Sequence, residues 1–263
     1  MSRNAVPILM YHQVSPQPVA AFQRYTVTPQ RFAAQMRWLR LAGYTAITLD
    51  ALLAQRQGRI KLPRRPVLIT FDDGYQECID YAVPILQAHH FTATFFLVAG
   101  LMGKPSEWLL PELGVTFPLI DWATARQLQA LGFSCGAHTM THPHLADCDG
   151  ARCRTELVET RCLLEAQLGQ PVVHLAYPYG SFNAGVRALV AEAGYRSACS
   201  TRRGCSPVAD DRLALQRVSV YGHDSLLAFI CRLYTAYSPY ELLRKRLQTG
   251  RRPRQGAEGL AIL

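Results

Sequence analysis

Two adjacent carboxylates follow a short apolar run in the segment Thr70-Phe71-Asp72-Asp73-Gly74. Burying carboxylates at the end of a strand is costly unless they are paired or bind a cation. The competing interpretation is an ordinary exposed turn, because Asp and Gly are common turn residues. On this segment alone, the two interpretations have equal weight.

A pair of histidines forms the second group with possible chemistry. His138 and His142 follow a predicted strand over residues 133–137. If they lie in one helical turn, residues four apart share a face with Cβ atoms about 5–6 Å apart. That spacing suits two imidazoles on one metal, with His144 as an alternative ligand. Chance is the competing explanation, since the chain has eight histidines.

Together the two groups make a stronger case than either alone. In a parallel barrel, the carboxyl ends of all strands open onto the same face. One carboxylate and two imidazoles would then supply three protein ligands and leave positions for water and substrate. This is typical of a catalytic rather than a structural zinc site. The second carboxylate would be free to act on the water.

A third motif follows another predicted strand and consists of Tyr177, Pro178, Tyr179 and Gly180. Such a turn is rigid and can present a backbone N–H that holds a developing oxyanion. It can equally be a proline-glycine turn with aromatic packing. Trp108 lies in a predicted loop and is either a platform for a sugar ring or a residue that pins the loop.

The elements that must position these residues alternate between short apolar segments and amphipathic helical segments. This alternation favours a parallel sheet covered by helices, and six to eight such units predict a closed or nearly closed β/α barrel. The predicted strands span residues 6–11, 45–48, 67–71, 94–98, 133–137, 172–176, 195–198 and 217–221. The predicted helices start at Pro29 after the N-cap Thr28 and at the N-cap Asp50, and span 76–89, 121–131, 149–168, 183–193 and 225–234. Residues 99–120 are predicted to form a long loop.

Length and composition indicate one globular domain. The chain has 263 residues, of which 49% are hydrophobic and 18% charged, and no Gly/Ser/Pro-rich linker divides it. It has no run of the ~20 apolar residues that a membrane-spanning helix needs, and no signal-like segment near the start. We therefore expect a cytoplasmic protein, or one at the cytoplasmic face of a membrane. The eight cysteines form no Cys-x-x-Cys motif and are predicted to be reduced thiols.

Positive charge is concentrated at the end of the chain. Residues 244–263 carry six Lys or Arg side chains and one acid, within a formal net charge of +9. We predict a catalytic domain over residues 1–240 and a basic, flexible tail over residues 241–263. A basic tail can touch anionic surfaces, whereas a solvated, frayed end is the simpler interpretation. The rest of the chain has no nucleic-acid-recognition motif, so no specific nucleic-acid partner is predicted, and the oligomeric state is not indicated.

The three motifs, in this order, resemble the polysaccharide deacetylase family, the nodulation-protein-B homology domain of carbohydrate esterases. The segments Met10-Tyr11-His12 and Ala93-Thr94-Phe95-Phe96 are also similar to that family, and the resemblance covers residues 6–225. It implies a single α/β domain with a distorted, incomplete (β/α)7-type barrel. It also implies one divalent metal ion, usually zinc, and an N-acetylated carbohydrate as the partner.

The resemblance implies roles for individual residues. Asp73, His138 and His142 would be the metal ligands, and Asp72 the general base. The backbone N–H of Tyr179 would help to bind the oxyanion. We also assign Tyr177, Pro178 and Trp108 to substrate binding. An Asp/His/His set accepts nickel, cobalt, iron or manganese as well as zinc.

The sequence departs from the family pattern in two places. The family often has an arginine, which orients the base, where this chain has Ala176, so the partner of Asp72 is not predicted. A late Leu-x-His motif is also missing, and His223 does not match it. His12, at the end of the first strand, is the better candidate for the general acid, and the alternative is a histidine that only packs or hydrogen-bonds. Family members with Tyr-His at this place resemble the subgroup that acts on β-1,6-linked N-acetylglucosamine.

The function predicted on this basis is metal-dependent hydrolysis of N-acetyl groups in an N-acetylglucosamine-containing poly- or oligosaccharide, with release of acetate. One alternative keeps the fold but changes the bond, giving an O-acetyl esterase or another amide hydrolase. A second is a catalytically inactive carbohydrate-binding homologue. A third, ranked last, is a nucleic-acid-binding protein that uses the basic tail.

Overall fold

Seven parallel strands close into a barrel in this computed structural model, which describes residues 5–207 and 210–249. The strands are β1 (Ile8–Tyr11), β2 (Gln13–Val14), β3 (Thr26–Val27), β4 (Thr45–Ala46), β5 (Pro66–Phe71), β6 (Thr94–Leu97), β7 (Ser134–Ala137), β8 (His174–Ala176), β9 (Ser197–Arg203) and β10 (Leu215–Ser219). Around the barrel the order is β1, β10, β9, β8, β7, β6 and β5, and β5 pairs with β1 to close the ring. β4 adds to β5 on the outside, and β2 pairs with β3 separately. The predicted (β/α)7-type fold is confirmed.

Helices connect the strands and cover the barrel. They are α1 (Pro29–Leu41), α2 (Leu49–Arg56), α3 (Val83–Ala88), α4 (Leu110–Leu113), α5 (Trp122–Ala130), α6 (Gly150–Arg154), α7 (Thr160–Leu168), α8 (Ala184–Glu192), α9 (Leu226–Thr235) and α10 (Pro239–Thr249). Two five-residue π-helical turns, Cys78–Ala82 and Thr155–Glu159, precede α3 and α7. Thr28 caps α1 as predicted, since its side chain accepts a hydrogen bond from the N–H of Arg31.

Apolar residues on the two sides of the strands form two separate buried clusters. Ile8 and Leu9 are consecutive in β1 and belong to different clusters, because successive side chains of a strand point to opposite faces. The smaller cluster contains strand residues such as Leu68 and Phe96 together with Leu49 and Leu52 of α2. The larger cluster lies between the strands and the covering helices.

The N-terminus of α2 differs from the prediction. Thr48, not Asp50, is the N-cap, and its side chain accepts the N–H of Ala51. Asp50 lies in the first turn of the helix and forms an ion pair with Arg196 at 2.9 Å, and its carboxylate also lies 3.3 Å from Nε2 of His174. The prediction was wrong because both residues have side chains that cap helices, and only the extended backbone of Thr48 decides between them.

The end of the domain also differs from the prediction. We expected α9 to be the last packed helix and a flexible tail to begin at residue 241. Instead α10 runs from Pro239 to Thr249, and Glu241 forms ion pairs with Arg203 and Arg232 at 2.7 and 2.8 Å. Most of the basic tail, residues 250–263, lies outside the described residues.

Two further features concern the lengths of the helices and the pairing of the cysteines. Within residues 5–207 and 210–249, no helix has the length and apolar character required to cross a bilayer. All eight cysteine thiols are unpaired in the structure.

Candidate metal and catalytic site

Asp73, His138 and His142 meet at the carboxyl ends of the barrel strands. Oδ1 of Asp73 lies 3.1 Å from Nε2 of His138 and 3.2 Å from Nε2 of His142. All three residues are buried, and one ligand atom from each fits within a group whose members are at most 4.8 Å apart. Across the described part of the chain, this is the one cluster of His, Cys, Asp and Glu with the geometry of a metal site. His144, the predicted alternative ligand, instead stacks on the ring of Tyr179.

The hydrogen bonding of His138 indicates what these atoms can hold. Its Nδ1 lies 2.7 Å from the carbonyl oxygen of Ala176, which can only accept a hydrogen bond. In a neutral imidazole, Nε2 therefore carries the lone pair, and that lone pair faces the carboxylate of Asp73. Two acceptors at 3.1 Å need a proton or a cation between them. The donor set thus fits a divalent metal, with the second imidazole nitrogen held by a carbonyl as metal-ligating histidines usually are.

The backbone between the two histidines is a loop, so the prediction of one helical turn was wrong. Thr139 and His142 have φ values of 67° and 62°, which lie in the left-handed region. The hydroxyl of Thr139 accepts a hydrogen bond from the N–H of His142 at 3.0 Å. Left-handed backbone is uncommon in residues other than glycine, and here it turns both imidazoles toward Asp73.

Asp72 faces an arginine rather than the histidines. Nη1 and Nη2 of Arg217 donate to its two carboxylate oxygens, each at 2.7 Å. The guanidinium is fully buried inside the barrel, where Nε donates to the carbonyl of Ser200 and Nη1 also reaches the hydroxyl of Thr70. Such a bidentate pair fixes the plane of the carboxylate as well as its charge.

The pKa of each aspartate is lowered, but by different neighbours. Burial raises the pKa of Asp72, and the charge and hydrogen bonds of Arg217 outweigh burial, so the carboxyl stays below its usual range. Burial likewise raises the pKa of Asp73, and its contacts with His138 and His142 bring it well below that range. Both side chains are therefore ionised at neutral pH.

His12 lines the same cavity as Asp72 and Asp73. Its ring lies 5.0 Å from the ring of Tyr25, and its buried Nδ1 has no hydrogen-bond partner among the described residues. Burial lowers the pKa of His12, and the charges of Asp73 and Asp72 only partly oppose this. The imidazole is thus in place beside the carboxylates and neutral at neutral pH.

The third motif forms a tight turn beside the histidines. Tyr179 has φ 57°, and its ring lies 4.6 Å from the ring of His142. Tyr177 also lines the cavity, but its hydroxyl donates to the carbonyl of Leu213 and its ring stacks on Phe182. Pro178 is buried and is not among the residues that line the cavity.

The site opens into a cavity of about 450 Å³ with aromatic rings on its walls. Trp108 comes from the long segment between β6 and α5 and stacks on His142, with ring centroids 4.4 Å apart. The lining includes Met10, His12, Phe22, Tyr25, Asp72, Asp73, Trp108, Leu109, Glu112, Leu113, His138, His142, Tyr177, Tyr179, Thr201, Arg203, Ser219 and Tyr221.

The profile of the polysaccharide deacetylase family matches residues 59–198, which is more than half of the chain and includes all three motifs. The chain belongs to the polysaccharide deacetylase family.

Individual members of the family are related at moderate identity. YxkH of Bacillus subtilis, whose name describes it as a polysaccharide deacetylase, is 27% identical over 216 residues. The match covers 82% of this chain and 71% of that protein. The poly-beta-1,6-N-acetyl-D-glucosamine N-deacetylase of Staphylococcus epidermidis is 32% identical over 113 residues, or 39% of each chain. The structure of the Streptococcus pyogenes deacetylase PplD in complex with acetate superposes with a TM-score of 0.76 at 25% identity, covering 88% of this chain and 99% of that one.

Arg217 is the residue that the sequence analysis missed in this polysaccharide deacetylase. The family's arginine position is Ala176 in this chain, so no partner of Asp72 was predicted, and the guanidinium comes from β10, 145 residues away from Asp72. A signal was present, because Arg217 is a charged residue within an apolar predicted strand, and a charge in such a place usually has a partner.

Proposed function

We propose that the protein is a metal-dependent deacetylase that hydrolyses the N-acetyl groups of N-acetylglucosamine units in a poly- or oligosaccharide. The observation that carries the proposal is a single cavity lined by two aspartates that have different partners. Asp73 faces two imidazoles, and Asp72 is locked to Arg217 beside them. A carbohydrate-binding protein without activity would have no need for the second, ionised carboxylate.

The residues that would hold the metal are Asp73, His138 and His142, through Oδ1 and the two Nε2 atoms. A divalent cation bound there, for which zinc is our first choice, would act as a Lewis acid toward water and toward the acyl oxygen. The three protein ligands leave coordination positions open, as catalytic sites require.

Asp72 would be the general base. Arg217 keeps its carboxylate ionised and fixes its orientation, so its remaining lone pairs can take a proton from the attacking water. Asp73 cannot serve in this role while it is a ligand, because its charge and lone pairs are turned toward the imidazoles.

The backbone N–H of Tyr179 would donate to the oxyanion of the tetrahedral intermediate. One such donor is typically worth about 3–4 kcal/mol of transition-state stabilisation. His12 would deliver a proton to the departing nitrogen. Since its pKa is lowered, His12 has to gain that proton during the reaction, and the proton taken up by Asp72 is one source.

The substrate class follows from the cavity and the relatives. Aromatic rings pack well against the apolar faces of sugar rings, and Trp108, Tyr179 and Tyr221 offer such rings around the site. The match to the Staphylococcus epidermidis deacetylase supports β-1,6-linked N-acetylglucosamine as our first choice, and a match at similar identity to a Rhizobium chitooligosaccharide deacetylase makes chitooligosaccharides the alternative to test. We propose an exopolysaccharide or its precursor as the polymer.

Acetate release tests the proposal. Protein loaded with zinc, and in parallel with cobalt, nickel, iron or manganese, is incubated with N-acetylglucosamine oligomers in β-1,6 and β-1,4 linkage and with O-acetylated sugars. We expect acetate and a new free amine from the β-1,6 oligomers, and no acetate from metal-stripped protein or from Asp72→Asn. Acetate from O-acetyl sugars alone would support the esterase alternative. No acetate from any acetylated sugar would contradict a deacetylase function.

A further inference from the structure

The loop over residues 138–142 carries two of the three prospective ligands without regular secondary structure of its own. Its left-handed backbone at Thr139 and His142 has to be held by neighbouring groups, because buried backbone N–H and C=O groups need partners.

One side of this histidine loop is held by the backbone after β6. The N–H groups of Ala99 and Gly100 donate to the carbonyls of Thr139 and Met140, each at 3.0 Å. Gly100 permits the close approach, since a Cβ atom there would lie 2.6 Å from the carbonyl oxygen of Met140.

The other side of the histidine loop is held by one carboxylate. Glu156 accepts the N–H groups of Met140 and Thr141 on Oε2, at 2.8 and 3.0 Å, and its Oε1 accepts the hydroxyl of Thr141. The residue is 4% exposed and forms no ion pair with a described residue. Consecutive backbone N–H groups of this kind form a concavity that suits an anion.

The position of Glu156 in its helix is unusual. It lies on the π-helical turn Thr155–Glu159 between α6 and α7. Such turns are rare and frequently occur at functional sites. A buried, unpaired carboxylate is also costly by itself, so its contacts with the loop are the structural reason for its presence.

We propose that Glu156 is a positioning residue that holds the histidine loop in the conformation that binds the metal. This inference rests on the proposed function, which requires a metal at this site. Glu156 is not one of the three prospective ligands. It acts through the amides of Met140 and Thr141, which in turn fix where His138 and His142 point.

Zinc affinity, measured by competition with a chelator, is the first test. Glu156→Met keeps the length of the side chain but has no strong acceptor, and we expect it to weaken zinc binding about 10- to 100-fold. Glu156→Gln can still accept both amides and should stay within about threefold of the wild-type affinity, since it keeps the acceptor that the loop needs. Glu159→Met, on the exposed side of the same turn, is the matched control and should leave the affinity unchanged.

Amide hydrogen exchange on the metal-free protein is the second test, and it separates this inference from the proposed function. The amides of Met140 and Thr141 should be protected in the wild type, exposed in Glu156→Met and protected again in Glu156→Gln. If the wild-type protein neither binds zinc nor releases acetate, the proposed function fails while the exchange pattern still reports on the loop.

One variant keeps the test decisive if Glu156→Met does not fold. Glu156→Asp retains the charge but is one methylene shorter, and we expect it to lose protection at both amides and about tenfold in zinc affinity. A folded Glu156→Met or Glu156→Asp protein with wild-type zinc affinity and wild-type amide protection would overturn the proposal.

Discussion

Asp72 and Asp73 are adjacent in sequence and almost equally buried, at 3% and 4% exposure, yet they lie in two different electrostatic environments. Asp72 directly follows β5, its N–H donates to the carbonyl of Tyr11, and its carboxylate meets Arg217 of β10. Asp73 has φ 75°, which breaks the alternation of the strand and turns its carboxylate toward the two imidazoles. The comparison shows that the partner across the barrel, and not the residue type, decides what each carboxylate can do.

The largest expected effects come from exchanging each carboxylate for an amide. Asp73→Asn should lose both zinc binding and activity, because it removes a ligand charge from the site. Asp72→Asn should retain zinc and lose about 10²- to 10⁴-fold in kcat, as expected for a missing general base. Zinc content and acetate release measured on both variants test the difference. Similar zinc contents in the two variants would contradict the different roles assigned to Asp72 and Asp73.

The next largest effect concerns the partner of Asp72. Arg217→Met leaves a buried carboxylate unpaired and should destabilise the fold by about 3–5 kcal/mol in urea unfolding. The double variant Arg217→Met with Asp72→Asn removes both charges and should recover part of this loss. A fully additive loss in the double variant would mean that the pair is not coupled.

The same variant gives a pH dependence with a definite sign. In the wild type, the pKa of Asp72 is lowered, so its contribution to stability is present above the unfolded-state pKa and is lost as the pH falls. In Arg217→Met, the largest effects that oppose burial are removed, so we expect burial to raise the pKa of Asp72 and stability to be lost as the pH rises. The stability difference between the two proteins should therefore shrink toward acidic pH.

A smaller effect on rate is expected at His12. His12→Ala should keep zinc and the unfolding midpoint but lower kcat by about 10²-fold, the lower end for a general acid. The loss should be smaller for a substrate with a better leaving group, such as an O-acetyl ester, because its departure needs less protonation. Equal losses on both substrates would place the acid elsewhere.

The smallest expected effect comes from Glu241, a carboxylate on α10 that forms ion pairs outside the barrel interior. Glu241 is partly exposed, and although burial raises its pKa, bonds from Ser238 and the charges of Arg232 and Arg203 lower it to about 2. Its stabilising effect should be present above the unfolded-state value of 4.5 and disappear as the pH falls to about 2. Glu241→Gln should therefore lower the Tm slightly at pH 6 and not at pH 2. If Glu241→Gln lowered the Tm more than Arg217→Met does, the buried pair would not be the more important of the two for stability.

The sequence was sufficient for the barrel and for the group Asp73, His138 and His142. Their spacing after predicted strands brings them to one face because parallel strands end at the same side of a barrel. The conformation of the histidine loop was not predictable, since a separation of four residues suits a helical turn and a turn with left-handed residues equally well.

Partners that come from distant segments were also missed. Arg217 reaches Asp72 across 145 residues, and Glu156 reaches the amide of Met140 from the π-helical turn Thr155–Glu159. Local patterns give the type of each residue and the face of its element, but they do not say which face lies opposite. Packing of the whole barrel decides that, as it does for the ion pairs that order the start of α10.

A crystal structure of the zinc-loaded protein, with anomalous data at the zinc edge, tests the central claim most directly. We predict one zinc ion with Asp73 Oδ1 and the Nε2 atoms of His138 and His142 at about 2.0–2.2 Å, while Asp72 stays paired with Arg217. A zinc ion bound at other residues, or one coordinated by Asp72 with Arg217 displaced, would contradict the division of roles between the two aspartates.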